Sequence, residues 1–196
     1  MMRGFTVLEL VVTISIFVIV TTITLANYPG YNDRLELELR AQDVALLTRQ
    51  AQLFALGVRA ATFGGPQVFK GFGVHYTTAT PTSIIFFGDQ DGGKDYDTGD
   101  GCGQASTECL EVYTLPANIV IDRLCGYTSP GGGIPCEFQP SALDIVFTRP
   151  NPDAVFTATP ANDYALAEIE LRSARSGVKK KVVVYTTGQI SVQNAE

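Results

Sequence analysis

The sequence predicts an α+β protein in which one long N-terminal helix packs on an antiparallel β-sheet head. Three observations point there. The segment Phe5–Tyr28 is an almost uninterrupted run of apolar and hydroxyl residues, helical periodicity resumes after Pro29-Gly30, and short apolar or alternating segments follow from Gln67 onward. The 196 residues are 45% hydrophobic and only 17% charged, against about 25% charged in a typical soluble domain. Past Tyr28 the composition is that of an ordinary globular domain, long enough to bury one core. The formal net charge of −6 argues against bulk nucleic-acid binding. A purely cytosolic soluble enzyme also fits poorly with such an N-terminus.

The apolar run comes first. Its 24 residues exceed the apolar stretch of about 7–15 expected of a secretory signal, and no A-x-A-like site follows. They match the roughly 20 residues that cross a bilayer. Arg3 lies on the short side, which favours an N-in orientation with the remainder exported. Glu9 is the one charge in the run. An acid one turn inside a membrane segment costs about 2–3 kcal/mol on insertion scales and is by default a functional residue. It lies four residues after Phe5, so the two share a helix face.

The run Gly4-Phe5-Thr6-Val7-Leu8-Glu9-Leu10 behind a short leader with Arg3 resembles the processing signal of the type IV pilin and type II secretion pseudopilin family. The resemblance implies that a prepilin peptidase cuts between Gly4 and Phe5 and N-methylates the new terminal Phe5. It implies a single-pass inner-membrane precursor in contact with lipid, handed by an assembly platform to other pilin or pseudopilin subunits, and a final extracellular or periplasmic filament. There Glu9 would neutralise the terminal amine of Phe5, its own or a neighbour's, where an unpaired charge is costly. The expected divisions are leader 1–4, membrane and filament-core helix 5–28, amphipathic helix 29–63 and β-rich exported head 64–196.

Pro29-Gly30 is expected to break the apolar pattern. Beyond it Leu37, Ala41, Val44, Leu47, Ala51, Phe54 and Val58 recur at steps of three and four, an apolar stripe on one face. Gly57 weakens the helix and Phe63-Gly64-Gly65-Pro66 ends it. Strands are expected at Val68–Tyr76, Ser83–Phe87, Leu110–Thr114, Asn118–Asp122 and Leu143–Thr148. Ala167, Ile169 and Leu171 alternate with Glu168 and Glu170, which suggests one wet face. Val182–Thr186 and Gln189–Val192 flank Thr187-Gly188, a hairpin signal. The C-terminal succession of an alternating strand, a basic segment, Val182-Val183-Val184 and Gly188-Gln189-Ile190 is weakly similar to H-type pseudopilins and related minor pilins.

Asp89, Asp91, Asp95, Asp97 and Asp100 place five carboxylates in twelve residues. Such a loop repels itself unless neutralised. Counted from Asp89, the EF-hand-type ligand positions 1, 3, 5, 7, 9 and 12 fall on Asp89, Asp91, Gly93, Asp95, Asp97 and Asp100. Gly93 offers no side-chain oxygen, and Lys94 occupies position 6, where the motif wants Gly. Calcium binding, with Asp89, Asp91 and Asp95 foremost, stands beside a plain solvated acidic turn.

Cys102, Cys109, Cys125 and Cys136 read as disulfides in an exported head, with three pairings open. A zinc site made of all four cysteines fits their spacing less well. His75 is the only histidine and no nucleophile motif accompanies it, so no enzymatic activity is expected. Arg172, Arg175, Lys179, Lys180 and Lys181 form a basic run. It admits a second expectation, a minor pilin of a DNA-uptake pilus that binds DNA there. The rival reading is a strand edge protected by lysines.

Overall fold

The computed structural model describes residues 6–57, 61–62, 66–67, 69–97, 102, 107–131, 136–160 and 163–195, without the side chains of 26–29, 61–62 and 66–67. One helix, α1 (Val7–Leu56), runs for 50 residues. Thr6 caps it, its hydroxyl accepting from the Glu9 N–H at 3.3 Å. The expected interruption at Pro29-Gly30 does not occur. Proline removes a single N–H, the one that would serve the Leu25 carbonyl, and long helical stretches on both sides carry one missing rung. The hydroxyls of the apolar half stay satisfied within the helix: Ser15, Thr21, Thr22 and Thr24 each donate to the carbonyl four residues back at 2.7–2.8 Å.

Eleven strands follow among the described residues. Two short ones, β1 (Ala61–Thr62) and β2 (Pro66–Gln67), pair with each other. The others are β3 (Gly71–Thr77), β4 (Ser83–Asp89), β5 (Cys109–Thr114), β6 (Ile119–Tyr127), β7 (Ala142–Thr148), β8 (Ala154–Thr159), β9 (Leu166–Ser173), β10 (Lys179–Tyr185) and β11 (Ile190–Asn194). They form two sheets rather than the one expected, in the orders β5-β4-β3-β7-β8 and β11-β10-β9-β6, every pairing antiparallel. Strand β8 had no sequence signal because Pro150, Pro152 and Pro160 around it read as loop. The β6 strand runs five residues past Asp122, its register shifting between Ile121 and Arg123.

The helix lies across both sheets, against β3 and β7 of one and β9, β10 and β11 of the other. Leu37, Ala41, Val44, Ala45, Ala51 and Ala55 are buried there. Four of these six are alanine, which lets strands approach the helix axis closely. Opposite them lie Phe72, Val74, Ile145, Phe147, Ile169, Leu171, Val182 and Val184. Phe54 makes edge contacts with Phe72 at 5.7 Å and Phe86 at 5.5 Å. The predicted stripe holds through Phe54; Val58 lies outside the described residues. One polar pair is sealed inside. Thr48 donates its only proton to the Val44 carbonyl at 2.9 Å, so the Tyr76 hydroxyl donates to Thr48 at 2.8 Å.

The predicted β10–β11 hairpin is present and depends on Gly188. Its φ is +79°, and an added Cβ would collide with the Pro152 carbonyl oxygen. The same carbonyl and that of Gly188 both accept from Gln52 of the helix at 3.0 Å. Gly188→Ala should therefore destabilise the head by about 1–3 kcal/mol. Urea unfolding of the full chain would show a lowered midpoint, while Gly30→Ala, at an open helical position, should not lower it.

Candidate functional site

The surface of α1 is the first candidate. No part of its most apolar 18-residue window, with a mean hydropathy of 2.3, is buried. It is long and apolar enough to cross a membrane. Glu9 is exposed in its first turn. Gly4 and Phe5 lie outside the described residues, so the expected processing site and the expected partner of Glu9 do too.

The head-packed half is not simply amphipathic, as the periodicity suggested. Tyr31, Leu35, Leu39, Leu46 and Leu53 are 61%, 45%, 64%, 56% and 67% exposed. At about 100° per residue they fall within roughly 80° of arc, on the side opposite the buried Leu37, Val44 and Ala51. The helix thus carries two apolar stripes here, one on its own core and one facing out. The outer stripe continues the apolar surface of the first half.

The acidic loop is the second candidate. Asp89 ends β4 fully buried. Its Oδ1 accepts from the Gly92 N–H at 2.6 Å and its Oδ2 from the Lys94 N–H at 3.3 Å. Asp91 Oδ1 accepts from the Gly93 N–H at 2.7 Å. Glu108 enters from the chain just before β5 and accepts from the Gln90 N–H at 2.9 Å and the Asp97 N–H at 3.0 Å. Ligand oxygens of Asp89, Asp91 and Glu108 lie within 4.8 Å of one another. Sequence spacing pointed to the first two but not to Glu108, which is remote in sequence and belongs to no loop motif. Burial raises the pKa of Asp95, and the charges of Asp97, Asp144, Asp91 and Asp89 push it the same way. Asp95 and Asp97 thus belong to the acidic surroundings rather than to the trio, and Asp100 lies outside the described residues. Lys94 has φ of +65°, so position 6 adopts the sharp left-handed turn although its residue is not glycine.

Tyr96 closes this loop over the sheet, its ring 5.1 Å from His75 and 5.5 Å from Phe87. His75 Nδ1 is 2.7 Å from Asp144 Oδ1 on the neighbouring strand. The cysteines pair sequentially, Cys102 with Cys109 and Cys125 with Cys136, closing separations of 7 and 11 residues. The first bridge ends beside Glu108 and ties the chain leaving the acidic loop to β5. The second ties β6 to the segment before Phe138, which itself bridges to Gly126.

The basic run does not form a free cationic patch. Arg172 and Lys179 both meet Asp122, at 2.6 and 2.7 Å, and Lys179 also meets Glu170 at 2.6 Å. Lys181 pairs with Glu168 at 2.8 Å, Lys180 with Glu38 of the helix, and Arg175 approaches Asp33 at 3.9 Å. Arg123 adds a 2.7 Å bond to Glu170. The expected wet face of β9 is likewise overturned: Glu168 and Glu170 are 8% and 4% exposed. Antiparallel register sets Lys179 opposite Arg172 and Lys181 opposite Glu170. Each lysine pairs with the diagonal glutamate, Lys179 with Glu170 and Lys181 with Glu168, its long side chain covering the carboxylate it neutralises.

Burial works to raise the Asp122 pKa, but hydrogen bonds from Lys179 and Arg172 outweigh it and hold it at about 2, below the ordinary 3.8. A lowered carboxylate pKa stabilises the fold fully above 3.8, and that stability is lost as pH falls through 2. Thermal melts should thus show an acid decline across that window, and Asp122→Asn should flatten it while lowering stability at neutral pH. No family model, curated protein or solved structure matches the chain.

Proposed function

We propose that the chain is a structural subunit of a type IV pilus or type II secretion pseudopilus. In this reading a prepilin peptidase removes residues 1–4 and methylates Phe5. The precursor waits in the inner membrane, and the assembly platform moves it into a filament of like subunits. The observation that carries the reading is the apolar half of α1, which the chain's own head leaves uncovered and which holds the single acid Glu9 one turn inside. Such a surface suits lipid first and other helices afterwards. The outward stripe Tyr31–Leu53 extends the same surface along the head. The DNA-uptake alternative is less favoured, because the five cations it needs already face carboxylates of the same chain. Glu9→Ala should insert and be cleaved normally yet enter filaments poorly, by pull-down of sheared filaments against a membrane-fraction control. Normal incorporation would remove the role assigned to Glu9.

In the same reading the acidic loop holds calcium through Asp89, Asp91 and Glu108. The donors are hard carboxylate oxygens, each with lone pairs left after its backbone hydrogen bonds. Left-handed Lys94 supports the comparison with a calcium loop, and Glu108 supplies a carboxylate from outside it. Calorimetry should register calcium binding that Glu108→Gln abolishes. Lys94→Gly should strengthen it, since glycine relieves the left-handed backbone and removes a competing charge. Absence of heat at millimolar calcium would rule the site out.

A further inference from the structure

A groove of about 460 Å³ opens where α1 leaves the head, between the helix and the ends of β10 and β11. Leu35 and Val178 supply apolar lining, Tyr31 lies along its mouth 61% exposed, and Arg34, Glu38 and Lys180 supply charge. Lys180 and Glu38 pair with each other. Arg34 is the cation left over, with no carboxylate or carbonyl partner among the described residues.

Its height along the helix matters. A hydrocarbon core about 30 Å thick takes about 20 helical residues. The apolar run Phe5–Tyr28, slightly tilted, spans that thickness, so the far boundary falls near residue 28. Tyr31 then lies about 4–5 Å beyond it and Arg34 about 9 Å beyond it, at about 1.5 Å per residue. Helical side chains lean toward the N-terminus, which lowers the guanidinium toward the phosphate layer. Tyrosine with an apolar body and a polar tip is favoured at that level.

We propose that this groove holds the headgroup of an anionic phospholipid, its phosphate on Arg34 and its glycerol and upper acyl chain along Tyr31, Leu35 and Val178. Guanidinium presents a planar fork that phosphate oxygens fit in pairs. Arg34 and Lys180 against Glu38 leave the groove net positive, which selects an acidic over a zwitterionic headgroup. The site would hold the precursor's head upright on the bilayer before assembly, and it rests on the membrane-inserted reading above.

The test uses the full chain in nanodiscs of phosphatidylcholine with and without phosphatidylglycerol, with retained lipid counted by native mass spectrometry. Phosphatidylglycerol should be retained preferentially. Arg34→Gln should cut the preference about tenfold, the loss of one charge-assisted contact, and Arg34→Lys should keep part of it, with circular dichroism unchanged in both. Excess inorganic phosphate should not displace the lipid. Equal retention of both lipids, a preference untouched by Arg34→Gln, or displacement by phosphate alone overturns the proposal. So does a photocrosslinker in place of Leu35 that captures a second copy rather than lipid. A chain that fails to insert removes the membrane reading together with this site.

Discussion

Two sheets share one helix face, and the head depends on that sharing. The inner faces of both sheets are apolar, and the strip of α1 from Leu37 to Ala55 covers part of each. The alanines at 41, 45, 51 and 55 are the reason it fits, since larger side chains would hold the strands away and open voids. The sealed Thr48–Tyr76 pair shows how tight the constraint is. A phenol buried there without a partner would cost about 1–3 kcal/mol, and the helix supplies the partner from its own core-facing row.

Polar contacts then fix the helix azimuthally. Glu36 accepts from Asn118 at 2.9 Å and Asp43 from Tyr113 at 3.0 Å, while Arg49 donates to the Ile190 carbonyl at 3.0 Å. These contacts reach to several strands, so rotation of α1 would break them together. The outward stripe of Leu39, Leu46 and Leu53 is consequently held facing away from the head. Its exposure follows from the way the core is built.

The outer faces of the two sheets are closed differently. On the four-stranded sheet, basic side chains of β6, β9 and β10 fold over Asp122, Glu168 and Glu170. On the five-stranded sheet, the acidic loop lays Tyr96 over Phe87 and His75, and Thr157 of β8 donates to the Lys94 carbonyl at 2.6 Å. The net charge of −6 is thus unevenly spread. Acid on the first face is matched locally, and unmatched acid gathers around Asp89, Asp91 and Asp95.

Elements with local signals are legible in the sequence. The apolar run of α1, the stripe from Leu37 to Phe54, the turn at Gly188 and most strands follow from periodicity and turn chemistry, which depend on near neighbours. The resemblance of Gly4–Leu10 to a processing signal also belongs to the sequence alone. Features that depend on distant partners emerge only when the chain folds. Glu168 and Glu170 alternate like solvent-facing residues, yet they are buried because lysines from β10 arrive diagonally. Lys179–Lys181 read as a free basic run for the same reason in reverse. Glu108 joins Asp89 and Asp91 only because β5 pairs with β4, and Leu39, Leu46 and Leu53 show as a second stripe only once the sheets have claimed the opposite face. Pairing across strands and packing between layers choose which polar groups meet, and local sequence carries no record of that choice.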